Sequence, residues 1–193
     1  MKNTITSILV ALLLLPAVGF SAEYTIDLAH TTVGFKIKHM TIANVSGWFE
    51  DFTGSFTVDD KNSLSGVEAE IVTKSINTKI EKRDTHLRSA DFFEVETYPT
   101  MKFKTISIEP KGVSGYLVKG ELTIKNNTKI VELDGELNGP VKDPWGNERS
   151  AIVLTGEINR KDFGLNWNKL IETGGLLVGE TVSIYLEGEG IRK

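Results

Sequence analysis

Residues 116–137 read YLVKGELTIKNNTKIVELDGEL, which is two stretches of alternating apolar and polar residues on either side of a short turn. In the first stretch Tyr116 and Leu122 share one apolar face, and charged residues occupy positions on the other. Because successive side chains of a β-strand point to opposite sides of a sheet, each stretch predicts a strand with one apolar face. The Asn126-Asn127 pair between them predicts a tight hairpin.

The same alternation recurs along most of the chain. The predicted strands include segments 33–39, 52–58, 67–71, 101–108, 116–125, 131–137, 152–158 and 182–187. About eight antiparallel strands of this kind form either a sandwich or a closed barrel. Several strands are long and most are joined by short turns, which favours an up-and-down barrel without exposed edges. We therefore expect an all-β fold built as an eight-stranded antiparallel barrel.

One segment departs from the strand pattern. Thr78 and Glu81 have the spacing of a capping box, in which each side chain bonds the other residue's backbone at the start of a helix. The sequence therefore predicts a short helix at about 79–89, packed across one end or one flank of the barrel. A second helical or irregular piece is expected over residues 160–170.

The first 22 residues are typical of a secretory signal peptide. Lys2 precedes the apolar run 8–18, and small residues stand at Ser21 and Ala22. The run is shorter than the roughly 20 residues that a membrane span requires. We expect cleavage after residue 21 or 22, a single domain over 23–193, export to the periplasm and no stable insertion in a membrane.

The composition excludes several classes of protein. The chain has 193 residues, a formal net charge of −4 and no cysteine, so thiolate metal sites and thiol catalysis are excluded. The isoelectric point near 5.5 shows that the chain lacks the excess of basic residues typical of nucleic-acid-binding proteins, so no nucleic-acid partner is expected. Charged residues fall mostly on the outward strand face, which predicts water outside the barrel. The sequence leaves open whether the chain forms a homodimer.

Side chains that carry chemistry are few. The three histidines, His30, His39 and His86, are too widely spaced for a local metal-ligand pair, and no metal or other cofactor is expected. The chain lacks a Gly-x-Ser-x-Gly elbow, and no catalytic residue is assigned. In segment 33–39, His39 falls on the apolar side that is expected to face into the barrel. Its ring must therefore find a polar partner or contact a ligand.

The inward strand face is the remaining candidate site. Periodicity alone does not distinguish a filled core from the wall of an apolar tunnel, although small inward residues such as Gly120 and Gly156 leave room. The candidate apolar lining is Phe35, Ile37, Phe56, Phe103, Leu122, Ile124, Leu133, Leu154, Ile184 and Leu186.

Read in order, the chain resembles the YceI-like proteins. The matching segments are Tyr24-Thr-Ile-Asp27, Ala29-His30-Thr31, Phe35, His39, Thr78, Arg83-Asp84-x-His86-Leu87, Asp91-Phe92-Phe93, Tyr98-Pro99, Gly120-x-Leu122-Thr123, Val131 and Asn159-Arg160-x-Asp162-Phe163-Gly164. They cover nearly all of the chain after the predicted signal peptide. At Asn126-Asn127 relatives often have a glycine-containing turn, a departure that affects the hairpin and leaves the pocket intact.

This resemblance implies a lipocalin-like barrel with a helix packed near it, in a periplasmic or secreted protein. It also implies non-enzymatic binding or transport of a long isoprenoid lipid, of the polyprenyl phosphate or isoprenoid quinone type, inside the barrel. The polar head would lie near the open end, where His39, Arg83 or His86 could donate hydrogen bonds. Two alternatives stay open: an enzyme acting on a lipid-like substrate in the same cavity, and a structural barrel whose partner is another protein.

Overall fold

The computed structural model describes residues 21–172 and 175–193. Its strands are β1 (Ala22–His39), β2 (Ala43–Phe49), β3 (Phe52–Val58), β4 (Leu64–Val72), β5 (Ile76–Asn77), β6 (Thr100–Lys111), β7 (Gly115–Ile124), β8 (Asn127–Lys142), β9 (Glu148–Asn159) and β10 (Val178–Arg192). One α-helix, α1 (Glu81–Arg88), and two 3₁₀ helices, Thr73–Ser75 and Arg160–Phe163, complete the described elements. The predicted signal peptide lies outside the described residues, except for its last two positions.

The strands close into an antiparallel barrel. Each strand from β6 to β10 pairs with the next along the chain, and β10 returns to pair with β1 over its whole length. The other edge of β1 is shared, because its first residues pair with β3 and its last seven pair with β2. Counting β2 and β3 as one position, the described residues form a ring of eight, which confirms the predicted fold.

Two strands were not expected from the sequence. In β2 a glycine and a tryptophan interrupt the apolar alternation, so Ala43–Phe49 gave no clear signal, and β5 has only two residues. β2 continues the barrel wall by pairing with the second half of β1, and β5 extends the sheet by pairing with β2 at Trp48 and Phe49. β5 is the last strand before α1.

The predicted hairpin between β7 and β8 is present, one residue earlier than expected. Ile124 pairs with Asn127, so the two-residue turn is Lys125-Asn126, with Lys125 at φ +56°. Asn127 belongs to β8 and its side-chain amide donates to the Phe163 carbonyl at 3.1 Å. This bond fixes the turn to the 3₁₀ helix that follows β9.

The helix is shorter than predicted, and the capping box is wrong. Lys79 has φ +66°, so the chain turns between Thr78 and the helix, and the N-cap is Ile80 with no side-chain cap. Thr78 instead bonds within a buried group: its backbone N–H donates to the Asp84 carboxylate at 3.0 and 3.1 Å, and its hydroxyl donates to the same group. A different local contact, between the turn and the first part of α1, has replaced the capping box.

One end of the barrel is filled by close packing. The ring of Tyr24 stacks on Phe56 with centroids 5.0 Å apart and planes within 5°. Phe56, Val118 and Ile152 have no exposed surface. We call this the sealed end, and its packing leaves the space inside the barrel to the opposite end, where α1 lies.

The outward face carries the charged residues that the alternation predicts. Cross-strand ion pairs join Lys102 to Glu70 at 3.1 Å, and Lys104 to Glu68 at 2.9 Å. Such exposed pairs contribute little stability, about 0–1 kcal/mol each. Among the described helices, none has the length and apolar character needed to cross a bilayer.

Candidate ligand-binding cavity

A large cavity occupies the half of the barrel opposite the sealed end. Its volume is about 610 Å³, within the range of about 300–1,000 Å³ that is typical of small-molecule sites. The lining includes the exposed residues Lys38, Ile80 and Lys82, so the cavity reaches the surface between β1 and α1. We call this opening the mouth.

Nine of the ten predicted apolar residues line the cavity. They are Phe35, Ile37, Phe103, Leu122, Ile124, Leu133, Leu154, Ile184 and Leu186. The prediction for Phe56 is wrong, because this ring packs on Tyr24 at the sealed end. Phe56 points into the barrel like the other nine residues. The alternation along a strand shows which side a residue points to, but not how deep along the barrel it lies.

Further lining residues were missed by the sequence reasoning. Some share the inward parity of predicted strands and could have been found by extending the same count: Ile71, Met101, Val131, Ile158 and Val182. Others lie outside the strands, where no period marks them: Phe92, Phe93, Leu165 and Trp167.

The inward glycines make space for neighbouring side chains. A Cβ atom built on Gly120 would lie 2.4 Å from the Phe103 ring, and one on Gly156 would lie 2.6 Å from a Leu133 methyl carbon. Such distances are far below van der Waals contact. The room that these glycines leave is therefore filled by the cavity wall itself, and it shapes the cavity indirectly.

Aromatic rings from three segments meet at the mouth. His86 of α1 lies edge-on to Phe92 at 5.1 Å and to Trp167 at 4.7 Å between ring centroids. The His86 Nε2 atom is 2.8 Å from the Asp91 carboxylate. These contacts join α1, the segment that follows it and the segment after β9 into one wall.

All three predicted polar residues, His39, Arg83 and His86, belong to the lining. Arg83 is held in one orientation, since Nε donates to the Thr78 hydroxyl and Nη2 to the Thr78 carbonyl, both at 2.7 Å. The Asp84 carboxylate accepts from the same threonine, as described above. Arg83 is therefore positioned by the turn before α1 and not by an acidic partner.

Arg160 also lines the cavity, and sequence reasoning did not select it as a site residue. It is only 2% exposed. Nε donates to the Gly179 carbonyl at 2.7 Å, and Nη1 donates to the carbonyls of Trp167, at 3.0 Å, and Leu165. Nη2 is buried and has no hydrogen-bond partner among the described residues. Burial lowers the pKa of this guanidinium, opposed by the charge of Glu180.

A separate cluster of charged residues lies toward the sealed end. Asp27, His30 and Glu189 bring ligand-type atoms within 4.8 Å of one another. Arg149 occupies this cluster: Nη1 donates to Asp27 at 2.9 Å and to Glu189, and Nε donates to Asp143 at 2.8 Å. A guanidinium already bonds these carboxylates and offsets part of their charge, so the cluster is an ion-pair network.

Arg149 also explains the acidity of its partners. Its hydrogen bond to Asp27 lowers the pKa of that carboxyl to about 2, with His30 adding to the effect. Its bond to Asp143 holds the pKa of that group well below the usual range.

The described lining contains few groups for catalysis. It includes no aspartate, glutamate, serine or threonine among residues 21–172 and 175–193. The His86–Asp91 contact resembles part of a catalytic dyad, but no hydroxyl nucleophile of serine or threonine accompanies it in the lining.

Comparison with known proteins places this barrel in a family. The family model described as the YceI-like domain matches residues 24–190. The chain belongs to the YceI-like family. This YceI-like protein is 38% identical over 170 residues to the UPF0312 protein of Staphylococcus aureus strain N315, an alignment that covers 86% of this chain and 96% of that protein.

Solved structures show the same architecture. The Campylobacter jejuni YceI protein is 34% identical with a TM-score of 0.70, covering 88% of this chain and 98% of that one. A polyisoprenoid-binding domain from Saccharophagus degradans has a TM-score of 0.66 at 16% identity, with the same coverage. At that identity the likeness concerns the fold alone.

Proposed function

We propose that this YceI-like protein binds a long-chain isoprenoid lipid, of the polyprenyl phosphate or isoprenoid quinone type, in its barrel cavity. The observation that carries the proposal is the cavity of about 610 Å³, walled by apolar side chains and open at one end. The protein then acts as a carrier or sensor, and no reaction is required of it. The resident molecule is a ligand and not a catalytic cofactor.

The physical argument is the burial of apolar surface. An isoprenoid tail exposes hydrocarbon that water disfavours, at roughly 25 cal/mol for each Å². Burial of about 400 Å² of tail therefore contributes about 10 kcal/mol, which offsets much of an association cost of about 4–15 kcal/mol. The open end leaves a polar head group near His39, Arg83 and His86.

Two further observations support the proposal. A structural neighbour carries the description of a polyisoprenoid-binding domain, and it shares this fold. The apolar run at 8–18 is typical of a signal peptide, which supports action in the periplasm after export.

An enzyme acting on a lipid in the same cavity is the second candidate. The His86–Asp91 contact of 2.8 Å is the one observation that favours it. The described lining supplies neither a carboxylate nor a serine or threonine hydroxyl to work beside that histidine. Binding accounts for the cavity without any such group.

The test is native mass spectrometry of protein purified from its own periplasm, followed by solvent extraction of the bound molecule. We expect an added mass that extraction releases as a prenyl lipid. The measurement is repeated after incubation with polyprenyl phosphate and with an isoprenoid quinone. If neither the native protein nor the incubated protein carries a lipid, the proposal is wrong. If the extract instead holds a chemically altered lipid that accumulates with time, the protein is an enzyme.

A further inference from the structure

The charged side chains that line the cavity, among the described residues, are all of one sign. Lys38, Lys82, Arg83 and Arg160 belong to the described lining, together with His39 and His86, whereas no aspartate or glutamate does. The whole chain has the opposite balance, with a formal net charge of −4. The cations are therefore concentrated at the cavity of an acidic protein.

These four cations are also without acidic partners. No carboxylate of the described residues lies within 4.0 Å of the side-chain nitrogens of Lys38, Lys82, Arg83 or Arg160. On the outer face the pattern is different, because Lys104 pairs with Glu68 and several other lysines pair likewise.

The carboxylates that lie near the mouth are already engaged. Asp84 accepts hydrogen bonds from Thr78, Asp91 lies against His86 at 2.8 Å, and Glu180 pairs with Lys161. Among the described residues, none of these three carboxylates forms an ion pair with Lys38, Lys82, Arg83 or Arg160.

Arg160 adds an independent observation. Its guanidinium is buried, no acid pairs with it, and Nη2 has no hydrogen-bond partner among residues 21–172 and 175–193. A buried donor without a partner is costly, and a buried cation without a counter-charge more so. A negatively charged group inside the cavity compensates the charge of this buried cation.

We infer that the cavity selects amphiphiles whose head group is anionic, of the phosphate class, over neutral lipids with the same tail. This inference rests on the proposed function and narrows its ligand from two classes to one. The tail supplies the affinity through burial, and the head is held by the cations of the mouth. A quinone or an alcohol head gains only hydrogen bonds there and leaves the positive charge uncompensated.

The test compares two ligands that differ only in the head group. Geranylgeranyl monophosphate and geranylgeraniol are titrated, below their aggregation concentrations, into the extracted full-length mature protein. The signal is the change in tryptophan fluorescence on binding; of the three tryptophans, Trp167 lines the cavity. We expect the phosphate to bind about tenfold or more tightly at low salt, and the difference to shrink at high salt because ions screen exposed charges.

Variants locate the effect. In Lys38→Gln with Lys82→Gln, affinity for the phosphate is expected to fall by roughly threefold to tenfold, with affinity for the alcohol unchanged. The matched control, Lys104→Gln with Lys119→Gln, removes the same charge from the outer face and should leave both affinities unchanged. An equal effect of the two double variants would mean that overall charge, and not the mouth, sets the preference, and would overturn the inference.

The remaining outcomes are distinct. Equal affinity for phosphate and alcohol overturns the inference and leaves lipid binding intact. Binding of neither ligand overturns the proposed function itself. Inorganic phosphate at millimolar concentration is the third arm: if it displaces the prenyl phosphate, the site takes free anions and the inference about lipid heads is wrong.

Discussion

Arg149 is the residue on which the charge balance at the sealed end depends. Its guanidinium bonds three carboxylates, and this holds the pKa of Asp27 at about 2 against an ordinary value of 3.8. A carboxyl group with a lowered pKa stabilises the folded state above its ordinary pKa, and that contribution is lost as the pH falls through the folded value.

We therefore predict that Arg149→Met raises the pH at which the protein unfolds in acid. The wild type should lose the contribution of Asp27 between about pH 4 and pH 2, whereas the variant has little of it to lose and is less stable at neutral pH. Circular dichroism during titration from pH 7 to pH 2 measures this. The control is Lys104→Met, which breaks one exposed pair with Glu68. An acid curve for Arg149→Met that overlies the wild-type curve would contradict the prediction.

Gly120 is the second residue whose identity the structure explains. A Cβ atom there would lie 2.4 Å from the Phe103 ring and 2.8 Å from the Lys104 carbonyl oxygen. We predict that Gly120→Ala lowers the free energy of unfolding by about 1–3 kcal/mol, as overpacking does, and pushes the ring into the cavity.

Urea denaturation measures the loss in Gly120→Ala, and the double variant with Phe103→Leu is the matched test. A smaller side chain at position 103 relieves the clash, so the double variant should recover part of the stability that the single variant loses. If the two losses simply add, the contact between these residues is not the cause.

At this scale the sequence predicts the face of a side chain better than its role. Phe56 and Phe103 have the same inward parity, yet one seals an end and the other lines the cavity. Arg160 was visible only as part of a family motif. Its burial depends on the segment that folds back over it, and no local pattern encodes that contact.

Among the elements, α1 shows how a local signal is overridden. Thr78 and Glu81 have the spacing of a capping box, but the helix begins after a turn at Lys79. The hydroxyl that would cap the helix donates to Asp84 instead, and Arg83 donates to that same hydroxyl. The predicted helix is therefore present, but its start is set by the bonds of Thr78 to Asp84 and Arg83 and not by a capping box.

We predict that Thr78→Val lowers the free energy of unfolding by about 1–3 kcal/mol, because the buried Asp84 carboxylate loses a donor and Arg83 loses an acceptor. Thr85→Val, on the exposed side of α1, is the control and should be close to neutral. Thermal and urea unfolding compare the two. Similar losses in both variants would show that the bonds of Thr78 to Asp84 and Arg83 are not the cause of the loss.

Most strands were predictable because one face is polar and exposed to solvent and the other is apolar and faces the barrel interior. The alternation that marks them is strongest where a strand is long and has neighbours on both edges, as in β7 and β8. It fails for β2, where Gly47 and Trp48 interrupt the alternation, and for β5, which has only two residues. It also does not reveal that β1 serves two partners along one edge.

At the scale of the whole molecule, the proposed lipid binding depends on the empty volume inside the barrel. The pattern of apolar and polar residues in the sequence does not reveal that volume. We predict that Leu122→Trp with Leu154→Trp fills the cavity and reduces lipid affinity by tenfold or more, since each ~55 Å² of tail left in water costs about one factor of ten. Native mass spectrometry with added prenyl lipid measures occupancy.

Two controls accompany this double variant. Its circular dichroism spectrum should match that of the wild type, which shows that the barrel still forms. Ile130→Trp places the same bulk on the outer face of β8, where Ile130 is 64% exposed, and should leave binding unchanged. Undiminished uptake by a folded Leu122→Trp, Leu154→Trp protein would put the lipid elsewhere.

The stacked rings of Tyr24 and Phe56 limit the routes by which a ligand could enter and leave the cavity. Among the described residues the cavity opens at the mouth and is plugged at the sealed end. For a lipid carried as proposed, the cargo then departs by the route it entered, with its hydrocarbon going in first and coming out last. Under that proposal, a donor membrane and an acceptor use the same face beside α1, so transfer between them proceeds in turns.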